Sequence, residues 1–346
     1  MNKIVSGIID SYALHQMHKE KSSKSHFLAG KSQNLNPEDF LSFYQEPLPS
    51  AVKLAESAGN LTSHVLKQNK IITNYAVGKY YFESQMKDNG KSNDNVIGIY
   101  RRNVDTKDAP NVIFVHGWRM NSIHKIDEIY LKNLMKLGFN MYYFTMPYHL
   151  ERNSTDSLYN GELMISADVN RTLLSVQQAV SDLRSLIRWI KSTSKGKIIL
   201  IGVSLGGFLT NLTCTVESDI DAVISVFYAN NLAHTIWNTI PGKYIKQDFE
   251  RNSPFTYSDL NDCWKIITPS SFKPIIPREK ILLLSAIYDK YIDINDANEL
   301  WEEWGYPKRI LYKCGHAGIV LMKNEIANDS LKFIKLRANC HIKCTS

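Results

Sequence analysis

The stretch KIILIGVSLGG, Lys197 to Gly207, carries the reading that decides the fold. Ile198 to Ile201 are all apolar, three of them β-branched, and Gly202 closes the run. That is the pattern of a short buried strand. The following GGFLTNLTCTVES reads as a helix. A strand turning sharply into a helix around a serine is a nucleophile elbow, with Ser204 at its apex. Gly202 and Gly206 flank that serine, where any side chain would collide in so tight a turn. The turn exposes the Ser204 hydroxyl, and the Leu205 N–H at the helix start can face a developing negative charge.

An elbow of this kind demands an acid and then a histidine, each just past a later strand. The run KILLLSAI, Lys280 to Ile287, is a buried-strand pattern followed by Tyr288-Asp289. The run RILYK, Arg309 to Lys313, is another, followed by Cys314-Gly315-His316. A serine hydroxyl is a weak nucleophile until an imidazole takes its proton, and a carboxylate must orient that imidazole. Asp289 is assigned as the acid because it comes first after its strand. Asp293 and Asp296 in the same loop compete with it, and a helix cap is the competing use of Asp289 itself. Of the ten histidines only His316 and His341 follow Asp289, and His341 lies in the tail. A packed core histidine is the bland alternative for His316.

A second oxyanion donor belongs after an earlier strand. NVIFV, Asn111 to Val115, is that strand, and His116-Gly117-Trp118-Arg119 follows it. Gly117 allows close backbone approach, and the Trp118 N–H is the expected donor. VHGW, GVSLGG, a strand ending near Asp289 and Gly315-His316 together resemble the α/β-hydrolase superfamily, over about residues 71–337. More narrowly, the chain is similar to an uncharacterised branch of α/β-hydrolase-domain proteins with an MPYH..R segment, here Met146 to Arg152. The resemblance implies the α/β-hydrolase fold and a serine esterase or lipase-like activity, and it names no substrate.

The rest of the chain supports an α/β class. From Asn111 onward strands alternate with helical stretches, which specifies a mostly parallel sheet with helices on both faces. TNYAVGKYYFES and NVIGIYRRN, separated by a loop with an Asn-Gly turn signal, read as an antiparallel start to the sheet. After Asn170, Leu173, Val176, Val180, Leu183, Ile187 and Ile190 form one apolar helical stripe, with Arg184, Arg188 and Lys191 expected to face away. Asp168 and Arg171 are expected to cap and open that helix.

Residues 1–70 lie outside this pattern and read as a helical N-terminal extension, with 71–346 as the hydrolase domain. IVSGIIDSYALHQMHKE suggests one amphipathic helix, for which a membrane-surface role is the sharper alternative. LPSAVKLAESAGNLTSHVLKQ suggests a second, with Ser50 as a candidate N-cap. Two segments interrupt the alternation, Pro147–Asn170 and Ala229–Arg278. The second is expected to be a cap over the serine, with padding of the sheet edge as the alternative. Trp237 and Trp264 in the cap, and His149 and Arg152 after the fourth strand, are the candidate substrate contacts. For His149 and Arg152, ordinary loop hydrogen bonding competes equally.

Composition excludes several classes. The net charge of +7 over 346 residues is spread out, without the basic block that nucleic-acid binding would need. Weak contact with an anionic membrane surface is compatible with that charge. No apolar run approaches the length of a membrane span, and the N-terminus lacks a secretory pattern. Five cysteines without framework spacing read as reduced thiols in a cytoplasmic protein. Cys340-His341-Ile342-Lys343-Cys344 is half a metal site without its other half, so neither metal nor organic cofactor is expected.

The expected activity is hydrolysis of carboxylic esters, small-molecule or lipid, through Ser204, His316 and Asp289. Acyl transfer on the same triad is the first alternative, and a non-catalytic ligand-binding protein with this fold is the second. Oligomeric state is not readable from the chain.

Overall fold

The computed structural model describes residues 2–19, 25–27, 44, 52–65, 72–87, 92–252 and 255–337. Ser50, the Asn-Gly turn signal, most of the polar run after the first helix and the Cys340–Cys344 cluster lie outside them. Among the described residues nine strands form one sheet: β1 (Lys53–Val65), β2 (Ile72–Glu83), β3 (Asn95–Asn103), β4 (Asn111–Val115), β5 (Asn140–Phe144), β6 (Ile198–Val203), β7 (Ala222–Val226), β8 (Ile281–Ala286) and β9 (Lys308–Tyr312). Their spatial order is β1-β2-β3-β5-β4-β6-β7-β8-β9. β1, β2, β3 and β5 pair antiparallel in turn, and every pair from β5–β4 to β8–β9 is parallel.

Parallel strands β4 to β8 are buried on both faces, as helix-covered strands must be, while β9 at the sheet edge is largely exposed or half-buried. In β4, Ile113 and Val115 join one apolar cluster while Val112 and Phe114 join the other, and Ile198 and Leu200 alternate with Ile199 and Ile201 in β6. The described helices are α1 (Lys3–Met17), α2 (His124–Lys136), α3 (Val169–Thr193), α4 (Leu205–Thr213), α5 (Leu232–Asn238), α6 (Lys243–Asn252), α7 (Tyr257–Trp264), α8 (Ile294–Glu303) and α9 (Lys323–Arg337). All six apolar stripe residues of α3 are buried, and Asp168 caps it by accepting the Arg171 N–H. Among the described residues no helix is long and apolar enough to cross a membrane.

Two expectations are corrected. The stretch read as a second N-terminal helix is strand β1, paired with β2. Its Ala, Leu, Lys and Glu favour a helix, but Gly59-Asn60 would weaken one, and the edge of β2 offers unpaired backbone groups. The register shifts between Glu56 and Leu61, where that glycine sits. Arg184 does not face solvent: it is buried, donating to the Tyr44 carbonyl at 2.7 Å and pairing with Glu217 at 3.3 Å. Glu217 also receives Arg188, so a buried carboxylate turns this side of α3 inward.

β5 and β6 flank β4, so the connections out of β4 and β5 diverge from that point of the sheet. Open α/β sheets place ligands in such a crevice, beyond the carboxyl ends of the strands. The ends of β4 and β6 carry Gly117 and Ser204.

Candidate active site

Ser204 lies between β6 and α4 with φ 55° and ψ −116°, in the left-handed half of backbone space. A non-glycine residue there is strained, and the surroundings must hold it. They do so through contact: a Cβ on Gly202 would lie 2.2 Å from the Gly206 carbonyl oxygen, and one on Gly206 would lie 2.1 Å from that of Val115. The Ser204 N–H donates to the Val226 carbonyl at 2.8 Å.

Three side chains converge there. His316 Nε2 is 3.0 Å from Ser204 Oγ, and His316 Nδ1 is 2.7 Å from Asp289 Oδ2. Asp289 accepts the Tyr291 and Ile292 N–H groups on its other oxygen, at 2.7 and 2.9 Å, which fixes the carboxylate. Burial alone would push the His316 imidazole down. The Asp289 charge, its hydrogen bond and the nearby Asp10 charge outweigh burial and hold it above the ordinary histidine value. The competing carboxylates are elsewhere: Asp293 caps α8 by accepting the Asn295 N–H, and Asp296 is buried against the N–H groups of Asn230 and Asn231.

Gly117 lies against the serine: a Cβ there would be 3.3 Å from Ser204 Cβ. Among the described residues the backbone N–H groups of Trp118 and Leu205 donate to no protein acceptor. The Trp118 indole is occupied, donating to the Gly161 carbonyl at 2.9 Å.

A cavity of about 650 Å³ opens over Ser204 and His316. Ile165, Leu205, Leu232, Ile236 and Ile292 give it apolar walls, Arg119, Lys125 and Lys323 bring positive charge, and Glu128, 3.9 Å from Lys323, brings a negative one. The 229–278 segment supplies one wall through Ala229, Leu232, Thr235, Ile236 and Pro241. Its tryptophans do not take part. Trp264 is fully buried, donating to the Val169 carbonyl, and Trp237 packs on Phe249.

His149 and Arg152 are corrected in the same way. Both are fully buried. Arg152 donates to the Thr145 and Asn93 carbonyls and pairs with Asp182 at 2.8 Å, so its charge braces the loop after β5. His149 Nδ1 bonds the Pro147 carbonyl, and the ring packs 4.8 Å from that of His116.

Two contributors were not foreseen. Tyr291 stacks on His316, with ring centroids 4.6 Å apart and planes 16° from parallel. Helix α1 lines the cavity with Ala13, Gln16 and Met17 and carries Asp10 to the backbone of the His316 loop. Tyr291 was readable only as a neighbour of Asp289, and Asp10 had no sequence signal at all. Among the described residues, no group of three or more His, Cys, Asp or Glu is placed to hold a metal ion.

Strand order, elbow and loop positions are those of the α/β-hydrolase fold. Similar folds include acetyl xylan esterase 1 from Thermoanaerobacterium sp. JW/SL YS485, at TM-score 0.64 and 14% identity over 90% of this chain and 96% of that one. The acetyl xylan esterase from Paenibacillus sp. R4 matches at 0.61 and 14%, over 94% and 99%. Pyrococcus horikoshii acylaminoacyl peptidase matches at 0.55 and 12%, over 79% and 49%. At such identities the likeness concerns the fold. No protein-family model matches the chain. In sequence it is 50% identical over 113 residues to the uncharacterized protein YdjC of Bacillus subtilis (strain 168), a match covering 33% of this chain and 97% of YdjC. The chain therefore belongs to the family of YdjC. It is also 26% identical over 185 residues to the uncharacterized protein Rv2627c of Mycobacterium tuberculosis (strain ATCC 25618 / H37Rv), spanning 53% of this chain and 43% of Rv2627c.

Proposed function

We propose that this protein is a serine hydrolase that cleaves carboxylic esters through an acyl-enzyme on Ser204. The observation that carries the reading is the Ser204–His316–Asp289 hydrogen-bonded chain, on a strained elbow facing an apolar-walled cavity. Ser204 Oγ attacks the acyl carbon while His316 Nε2 takes its proton. The Asp289 carboxylate stabilises the resulting imidazolium. The carbonyl oxygen, now negative, accepts from the N–H groups of Leu205 and Trp118. His316 then gives its proton to the leaving alkoxide, and a water repeats the sequence to release the acid and restore the serine.

The apolar walls favour an uncharged acyl group, and the polar part of the lining, where Glu128 pairs with Lys323, favours a polar group on the alcohol side. The acetyl xylan esterases with similar folds agree with an ester substrate, by analogy of fold. Two experiments test the reading. A fluorophosphonate should label the wild type at Ser204 and leave Ser204→Ala unlabelled. In labelled water, the released acid should carry the oxygen label. Label on another serine would overturn the assignment, and an acyl group delivered to an added alcohol in preference to water would replace hydrolysis by acyl transfer.

A further inference from the structure

We propose that Asp10 is a positioning residue for this site: its buried carboxylate, delivered by the N-terminal helix, holds together the two loops that carry Asp289 and His316. The inference rests on the triad reading above. Asp10 Oδ2 accepts the Lys290 N–H and the His316 N–H, each at 3.0 Å, and Oδ1 accepts the Ala317 N–H at 2.9 Å. One side chain thus ties the residue after the acid to the base itself and to the residue after it. The fit is close, since a Cβ on Gly315 would lie 2.4 Å from Asp10 Oδ2.

The way α1 sits sharpens the point. Its buried residues are Ser6, Asp10 and Leu14, one turn apart, while Ile4, Ile8 and Tyr12 are exposed. A helix docked by apolar burial alone would turn the isoleucines inward. Here the inward face presents a carboxylate, and burying a charge is costly unless donors compensate. Three backbone N–H groups do so. Lys290 closes the contact from outside, its ammonium donating to the Gly7 carbonyl at 3.2 Å and to Ser11 Oγ at 2.9 Å.

Asp10 also acts on the imidazole through space. The charged or titratable groups around His316 are Asp289, Asp10, Tyr291 and, from α2, Lys125, with Lys290 and Cys314 beside Asp10. Asp10 favours the imidazolium, so losing its charge should lower the pH at which His316 protonates.

The test compares wild type with Asp10→Asn, which replaces one acceptor oxygen by an amide group facing an N–H donor. Expected are a loss of about tenfold or more in kcat and in the fluorophosphonate labelling rate, with KM changed by less than about threefold. The acid limb of the rate profile should move to lower pH, and so should the NMR titration of the His316 ring. A stability role alone would lower the melting temperature and move neither. Wild-type kcat with an unmoved His316 titration would overturn the proposal. The NMR titration needs no turnover, so a wild type that fails to label defeats the hydrolase reading while Asp10 is still decided. If Asp10→Asn does not fold, Lys290→Ala loosens the same helix from its exposed side. It should slow labelling several-fold, and a wild-type rate there would overturn the proposal.

Discussion

Tyr291 covers one face of the His316 imidazole, with ring centroids 4.6 Å apart and planes within 16° of parallel. The ring lies two residues past Asp289, whose Oδ1 accepts the Tyr291 N–H, so the acid and the stacking partner are set by one turn of chain. The stack limits how far the imidazole can swing away from Ser204. Aromatic pairs of this kind contribute about 0.5–1.5 kcal/mol beyond area burial, or roughly two- to twelvefold in a rate that depends on the held orientation. Tyr291→Phe should therefore keep wild-type labelling of Ser204, and Tyr291→Ala should slow it by about that range. Equal labelling rates in wild type and Tyr291→Ala would show that the stack holds nothing.

The carboxylates past β8 divide by geometry. Asp289→Asn keeps the shape and favours the wrong imidazole tautomer, so kcat should fall on the order of 10⁴-fold. Asp293 caps α8 and faces His234 at 3.3 Å, away from the nucleophile, so Asp293→Asn should stay within about tenfold. Steady-state rates of the two variants decide the matter. A severe Asp293→Asn with a mild Asp289→Asn would sink the triad as assigned.

If the proposed ester hydrolysis holds, acyl length should be set by the cavity walls. Each methylene that fits should contribute about 0.8 kcal/mol, a rate gain of about three- to fourfold until the pocket is full. Leu232 and Ile236 line that pocket and Trp264 does not. Leu232→Trp should shorten the preferred acyl chain and Ile236→Ala should lengthen it. Trp264→Ala should leave the preference unchanged and cost about 3–5 kcal/mol of stability, as a fully buried side chain does. A panel of p-nitrophenyl esters with urea melts separates these outcomes. An acyl profile that shifts only in Trp264→Ala would contradict the wall assignment.

Legibility followed how local the physics is. Ser204 was readable because strand, glycines and helix are written within one short stretch, and the same steric demands appear around Gly202 and Gly206. Asp289 and His316 were placed because each follows a strand-like apolar run, although only β8 is buried and β9, before His316, is a largely exposed edge strand. Asp10 was not, because Ile4, Ile8 and Tyr12 of α1 are exposed while the polar Ser6 and Asp10 share the buried face with Leu14. Periodicity assigns the wrong inner face to such a helix. Strand β1 was written in helix-forming residues and was decided by its pairing with β2, a tertiary matter. Arg152 illustrates the converse: a cation near the expected site suggested an anion from the substrate, yet Asp182 already holds it.

The buried histidine pair makes stability depend on acid. His149 has Nδ1 on the Pro147 carbonyl, and its Nε2 is buried without a partner among the described residues. Burial, and then the neighbouring His116, hold it well below the ordinary histidine value. Burial likewise lowers His116 to about 4. Between about pH 6.5 and pH 4 the unfolded chain therefore binds more protons at these positions than the folded one, and stability falls as pH falls. For His116 alone the loss approaches about 3 kcal/mol, complete near its folded value. Asp296 works in the opposite sense: burial raises it to about 6, so it gains stability as pH falls from there toward the ordinary carboxylate value. His149→Asn keeps a donor for Pro147 and removes one titration, leaving Asp296 untouched. Its stability at neutral pH should be lower through lost packing, but it should lose less than the wild type between pH 7 and pH 5. Urea unfolding at both values measures the two slopes. Identical slopes would mean that His149 does not titrate as a buried imidazole with an unpartnered Nε2.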